Sequence, residues 1–410
     1  MPSRSTGGMA APRMRLVHLA DLHLGYRQFQ RQTAAGINQR EADVAAVFRT
    51  AVDKVIALRP DVVLIAGDVF HNVRPSNPAI LHGFTQFSRL AAGLPDAIIV
   101  IVAGNHDTPR ASETGCILRL FAPLGIHVVD AEPRRLAFPD KNLAILAVPD
   151  APATRVALDP DPLFERNILL LHGEVKGVVP VSSADSERAA LQIAPEELAA
   201  PRWSYVALGH YHVFRQVAPN AFYAGAIEYT SSNAWGELQE ERAARLSGKG
   251  FIEFDLDRGR RVFHSLKPAR ALVDLPPIQA RGLTAADVDA AIAGNVAQVP
   301  GGIGERIVRQ VVRDIPRHVA RELDHKTLRE YKRHALHFHL DTRRPEIVRQ
   351  SASGAPGRRP SLMETVRDKL RTRPLPADVD REALVALGLR YLRDADQLEH
   401  EALAATPERE

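Results

Sequence analysis

An apolar run dominated by β-branched residues, Ala97-Ile98-Ile99-Val100-Ile101-Val102, stops at Gly104-Asn105-His106-Asp107. A run of this kind reads as a strand buried on both faces, as in a parallel sheet covered by helices. Loops at the carboxyl ends of such strands are where a rigid scaffold presents its chemistry. Four further strand-like runs finish in the same way, at Ala20-Asp21-Leu22-His23, Gly67-Asp68, Leu171-His172-Gly173 and Gly209-His210-Tyr211-His212. Five strand ends therefore offer Asp, His and Asn, and core packing asks for none of them.

The remaining pattern places these ends in an α/β frame. Arg15–Ala20 is a short first strand, and Gly25 to Arg40 is a polar loop. Val44, Val47, Phe48, Ala51, Val52, Val55 and Ile56 follow the i, i+3, i+4, i+7 spacing of one buried helix face, which Pro60 ends. Asp61–Ala66 is the second strand, a helix spans about Ala79–Ala92, and another surrounds Cys116 to Leu120. Strands follow at Asn142–Val148 and Asn167–Leu171. From Tyr205 strand-like runs come in close succession, and the period-2 alternation of Phe251–Leu256 predicts antiparallel strands with one wet face. The reading is βαβ units first and a β-meander second, a layered α/β domain of two sheets flanked by helices.

Beyond Ala271 a small separate module is expected, with Thr284 capping a helix whose buried face is Val288 and Ile292, and strands at Arg306–Val312 and Ala335–Leu340. His337 and His339 alternate with Leu336, Phe338 and Leu340, which makes them the wet face of that strand. Residues 350–360, rich in Ser, Gly, Pro and Arg, read as a linker. Ser361-Leu362-Met363-Glu364 matches a capping box, and a last helix is expected from Asp380 to Arg393, its apolar stripe being Leu384, Leu387, Tyr391 and Leu392. Gly301 to Arg373 carries 18 Lys+Arg against 9 Asp+Glu, whereas Pro374 to the end carries 4 against 9. The basic stretch is either a solvated surface or a phosphate-backbone contact.

Composition excludes several classes. One cysteine, Cys116, rules out an intramolecular disulfide and a thiolate-rich metal site and suits a reducing compartment. Residues 1–13 lack the apolar stretch of a signal peptide and read as a disordered leader, with Met9 and Met14 as alternative starts. No run approaches the ~18 apolar residues of a membrane span. A cytoplasmic location is expected.

Two divalent metals held together can stabilise both oxygens of an in-line phosphoryl displacement, and they need a bridging anion because bare cations repel. Asp68, alone at its strand end, is the natural bridge. Asp21 and His23, two apart in an extended segment, present both side chains on one side, and His210 and His212 repeat that geometry. Asn105 offers an amide oxygen and His172 a further nitrogen. Histidine nitrogen with a few carboxylates suits manganese, iron or zinc better than magnesium.

In this order, Asp-x-His, Gly-Asp, Gly-Asn-His-Asp, His-Gly and Gly-His-x-His resemble the signature of the calcineurin-like metallophosphoesterases. The resemblance covers roughly residues 15–230. It implies a two-sheet sandwich in which Asp21, His23, Asp68 and His212 hold one metal, and Asp68, Asn105, His172 and His210 the other. It further implies that His106 acts beside the phosphate as proton donor or transition-state stabiliser, with Asp107 orienting its ring. Asp21-Leu22-His23-Leu24-Gly25-Tyr26-Arg27 and Gly67-Asp68-Val69-Phe70-His71, then Arg74-Pro75-Ser76, are similar to the SbcD-type DNA repair nucleases, which also carry a histidine at the position of His71. That subfamily implies two Mn²⁺ ions, DNA as substrate, an SbcC-type coiled-coil ATPase as partner and a homodimer. It implies a catalytic domain over 14–270, a capping, DNA-binding domain over 271–349 and a helical partner-binding segment over 361–410. Two other readings share the fold: a small-molecule or cyclic-nucleotide phosphodiesterase, and a scaffold without catalysis. Turnover of duplex DNA against a chromogenic phosphodiester separates the first, and a metal titration with activity readout the second.

Overall fold

The computed structural model describes residues 13–109, 115–150, 157–178, 189–345, 361–373, 375 and 379–404, with side chains as far as 395. The expected leader, apart from residue 13, and the expected linker lie outside the described residues. The chain divides into two compact units, Met1–Pro345 and Glu346–Glu410.

In the first unit, β1 (Arg15–Leu19) is followed by α1 (Gln39–Leu58), whose amino end is capped by the Asn38 side chain. Arg59 takes a left-handed conformation and Pro60 follows, so the helix cannot continue. β2 (Val62–Ala66) is buried along its whole length. α2 (Asn77–Gly93) starts from the Ser76 cap with proline in its first turn and leads to β3 (Ile98–Val102), equally buried. A 3₁₀ helix, Ile117–Leu124, precedes β4 (His127–Val129). Next come β5 (Arg134–Phe138), β6 (Leu143–Val148), β7 (Arg166–His172) and a small parallel pair, β8 (Glu174–Val175) with β9 (Gln192–Ile193). One turn of helix, α3 (Pro195–Leu198), then leads to β10 (Tyr205–Gly209), β11 (Arg215–Ala218), β12 (Ala221–Tyr223), α4 (Ala234–Ala243), β13 (Gly250–Asp255) and β14 (Arg260–Ser265).

These strands form two six-stranded sheets, ordered β14-β13-β1-β2-β3-β4 and β11-β12-β10-β7-β6-β5. The layer between them is apolar: Leu16, Leu64 and Val100 from one sheet meet Ile145, Ile168 and Ala207 from the other. The outer face of the first sheet is covered by α1 and α2 through Val47, Phe48, Phe87 and Leu90. This is an α/β sandwich of two sheets flanked by helices, as expected. The β-meander expected after Tyr205 does not form. β10 runs parallel to both β7 and β12, while the β13–β14 hairpin crosses to the other sheet and pairs β13 antiparallel to β1. Local alternation identifies a strand but not its partner. Nor is the face of β13 opposite Phe254 wet, since Asp255 is buried and Glu253 half-buried.

The remaining residues of this unit build a smaller parallel sheet. β15 (Leu272–Asp274) and β16 (Ile278–Gln279) lie along one side of β17 (Ile307–Arg313), reached through α5 (Ala285–Ala297), which Thr284 caps. The segment after β17 was expected to be merely polar. It holds α6 (Arg317–Glu322) and α7 (His325–His334), each with a single fully buried residue, Val319 and Leu328, too few to show a periodic face. β18 (His337–Thr342) closes the other side of β17. Leu272, Ile307 and Leu336 pack with Tyr229 and Trp235 and so join this sheet to the sandwich.

The second unit is a pair of helices, α8 (Leu362–Thr372), opened by the Ser361–Glu364 capping box, and α9 (Arg381–Ala404). The apolar stripe of α9 is rotated from the expected one: Val385 is buried, whereas Leu387 and Tyr391 are 40% and 64% exposed.

Candidate metal centre

The two sheets touch where β2, β7 and β10 end. The His172 ring donates from Nδ1 to the carbonyl of Ala66 at 2.8 Å, across the gap between sheets. Two glycines permit this approach. A Cβ on Gly209 would lie 1.7 Å from the Ala66 carbonyl oxygen, and one on Gly104 would lie 2.1 Å from Asp68 Oδ1. The glycines ahead of His210 and Asn105 are therefore required by contact distance and do more than end a strand.

The loops turn sharply at the polar residues themselves. Asp21, His23, Asp68 and His210 all have positive φ, at 51°, 46°, 50° and 105°. Asp21 and His23 share one side of the chain, yet the extended geometry expected for them is replaced by left-handed turns, with Leu22 between them and Leu24 after them buried. The loop is pinned by amide bonds from Asp21 to the Gly67 carbonyl and from His23 to the Asp68 carbonyl. Non-glycine residues in this region cost about 1–3 kcal/mol each and persist where the surroundings over-determine them.

All seven expected ligands converge. Asp68 lies at the centre, with Oδ2 3.7 Å from His23 Nε2 and 3.5 Å from His172 Nε2, while Oδ1 accepts the amide of His106 at 3.0 Å. On one side His23 Nε2 and His212 Nε2 are 3.0 Å apart and group with Asp21. On the other, Asn105 Oδ1 lies 3.0 Å from His172 Nε2 and 3.3 Å from His210 Nδ1. Metal–ligand bonds of ~2.1 Å give polyhedron edges of about 3 Å, so these spacings fit coordination. Asp21 Oδ2 is buried without a hydrogen-bond partner, as a ligand oxygen would be. The donor set, nitrogen and oxygen without sulfur, fits the manganese, iron and zinc group.

Electrostatics agree with a cation site. Burial, reinforced by neighbouring imidazoles, holds His23 well below the ordinary histidine value, and burial with His172 brings His210 down to about 3. Both rings are therefore neutral, as ligands must be. Burial favours the neutral ring at His172 and His212 as well, but Asp68 and Asp21 outweigh it at His172, and Glu237 and Asp21 at His212, so both are raised. Burial pushes Asp21 up to about 6. Two carboxylates cannot neutralise two divalent ions, which leaves positive charge for an anionic substrate.

His71 and His106 stand at the rim. Their rings stack at 5.2 Å, and His71 Nδ1 is 3.3 Å from Nδ1 of His23. Asp107 corrects the sequence reading. Its carboxylate does not orient the His106 ring; it accepts the buried amides of Val69 and Phe70 at 3.0 Å each and of Gly104 at 3.1 Å. His106 Nδ1 instead meets the carbonyl of His71 at 2.7 Å. The carboxylate thus ties the β2 and β3 loops together. Burial, and then Asp68, push Asp107 up to about 7 against these three donors.

Sequence reasoning missed Glu237 on α4, which accepts from His212 Nδ1 at 3.2 Å, and Asp150, which accepts the amides of Ala190 and Leu191. Glu237 lies within an unpatterned charged stretch that carries no signal of its role, whereas Asp150 follows the apolar run Leu143–Val148 and shares the strand-end signal of the ligands.

The family model for calcineurin-like phosphoesterases matches residues 14–214. The DNA double-strand break repair protein Mre11 of Methanocaldococcus jannaschii is 28% identical over 251 residues, 59% of this chain and 62% of the relative. Mre11 of Methanococcus maripaludis is 26% identical over 256 residues, covering 59% and 63%, and that of Methanopyrus kandleri 28% over 270 residues, covering 60% and 55%. This chain thus spans about three-fifths of the length of the relatives it matches. With the expected ligands converging at the ends of these strands, residues 14–214 belong to the calcineurin-like phosphoesterase family.

Proposed function

We propose that this protein is a two-metal phosphodiesterase that cuts DNA during double-strand break repair, with exonuclease and some endonuclease action. The convergence of six further ligand side chains on Asp68 carries this reading. Asp21, His23, Asp68 and His212 hold one Mn²⁺, and Asp68, Asn105, His172 and His210 the other. Bound cations supply charge neutralisation and an activated water for in-line displacement at phosphorus. The protein's own residues do the rest. His106, held through Nδ1 to the His71 carbonyl, uses Nε2 to exchange a proton with the phosphate region. His71, at the rim, positions the scissile phosphate.

The relatives named for double-strand break repair favour DNA over a small phosphodiester. So does the surface of residues 271–345, where Arg313, Arg317, Arg321, Lys326, Arg329, Lys332 and Arg333 are exposed. This module caps the catalytic domain and tracks the phosphate backbone. The helices of the second unit, on which Leu362, Leu387 and Tyr391 are exposed, offer apolar surface to an SbcC-type coiled-coil ATPase. Leu81, 68% exposed on α2, with Phe84, gives a face for a second copy of the chain in a homodimer. Among the described residues no helix is long and apolar enough to cross a membrane.

Labelled linear duplex and hairpin DNA, incubated with and without Mn²⁺, test the proposal. Cutting of both substrates that needs the metal is expected. Turnover of a chromogenic phosphodiester with intact DNA would overturn it.

A further inference from the structure

His212 faces two ways. Its Nε2 lies 3.0 Å from Nε2 of His23 inside the cluster, and its Nδ1 lies 3.2 Å from Oε1 of Glu237 outside it. A ring nitrogen beside a carboxylate carries the proton, so this contact turns the lone pair of Nε2 toward the cation position. Glu237 is itself fixed. Its Oε2 accepts from Lys249 Nζ at 2.5 Å, and the same ammonium donates to the backbone carbonyl of His212 at 2.8 Å. Lys249 is 1% exposed and reaches Glu241 Oε1 at 3.1 Å. One lysine thus grips both ends of the Glu237–His212 contact.

We propose that Glu237, locked by Lys249, is a positioning residue that sets the tautomer and ring orientation of His212 and thereby the affinity of one of the two metal sites. The proposal rests on the two-metal reading of the cluster. A purely structural role explains the arrangement poorly, because a buried ion pair contributes little net stability that two apolar side chains of similar size would not supply. Two apolar side chains could not accept a proton from His212. The helix carrying Glu237 is also fastened to the same loop at other points. Glu240, one residue before Glu241 on α4, accepts from Tyr211 and from Arg215, which flank His212 in the chain. α4 thus holds this segment at Tyr211, His212 and Arg215, and of its two carboxylates in these contacts Glu237 is the one that reaches a ligand.

Calorimetric titration of the metal-free full-length chain with Mn²⁺, paired with its thermal unfolding in chelator, tests this. In E237L/K249M the buried pair is replaced by apolar groups and the acceptor is lost. One of the two ions should bind ~10–100-fold more weakly, the cost of removing such an outer partner. E237Q/K249M keeps a neutral acceptor for Nδ1 and should retain the affinity of the unaltered chain, although its unfolding in chelator shifts as much. Should the leucine variant fail to fold, E237D keeps the charge beside Lys249, withdraws the acceptor by one methylene, and should weaken the same ion. The proposal is overturned if the folded acceptor-less variant binds both ions with unaltered affinity, or if the glutamine variant loses as much as the leucine variant. Failure of the underlying reading looks different: the unaltered chain would not take up two ions at all.

Discussion

Replacing Asp107 with alanine removes the acceptor of three amides, those of Val69, Phe70 and Gly104, at 3.0, 3.0 and 3.1 Å. The carboxyl is fully buried, so bulk water cannot take over without opening the loops. A buried donor left without a partner costs about 1–3 kcal/mol, and three together about 3–9 kcal/mol. Burial of the carboxylate is itself unfavourable, as its rise to about 7 shows, and alanine removes that cost. The expected loss is therefore at the lower end, about 3 kcal/mol, against a typical domain stability of ~5–15 kcal/mol. Equilibrium urea unfolding in chelator reads it directly, with no contribution from bound metal. His106→Asn, which removes a half-buried ring at the rim, should lose about 1 kcal/mol or less in the same assay. If Asp107→Ala instead keeps full metal-free stability while losing turnover as His106→Asn does, the carboxylate serves the imidazole and the account of the loops is wrong.

Asp68→Ala removes the anion shared by both sites. Calorimetry should show both Mn²⁺ ions weakened by more than the ~10–100-fold that outer-sphere changes cost, with β2 still folded; two ions bound normally would reject the bridge. His106→Asn should keep both ions and lower turnover ~10²–10⁴-fold, and loss of either ion on titration would make His106 a ligand. Deleting the chain from Ser361 onward should leave Mn²⁺-dependent cutting by the isolated protein intact and abolish co-purification with an SbcC-type ATPase. Earlier melting of the shortened chain would show that α8 and α9 support the catalytic unit.

The positions of the ligands are legible because each lies at the end of an apolar run. Strand and loop end are written side by side at Val102–Asn105 and at Leu208–His210. Their backbone was not legible. The spacing of Asp21 and His23 predicts an extended segment, and both are left-handed, a conformation held by amide bonds to the neighbouring β2 loop. The direction of Asp107 is hidden for a related reason. Adjacency to His106 suggests contact, whereas the carboxylate is taken up by the Val69 and Phe70 amides and the ring by the His71 carbonyl. Glu237 and Lys249 left no trace because they lie twelve residues apart in a charged segment, and only the fold brings them under His212. The face of α9 was rotated because Val385, unlike Leu387, packs inward, a choice made by the partner helix and not by spacing alone. Strand pairing after Tyr205 depended on which sheet offered an open edge, and alternation along a strand says nothing about that.

The most direct test of the central claim is anomalous diffraction at the manganese edge from crystals grown with Mn²⁺. Two peaks on opposite sides of Asp68 are expected, one contacting Asp21, His23 and His212 and the other Asn105, His172 and His210. A single peak, or one seated among His23, His71 and His106 in place of either, would contradict it.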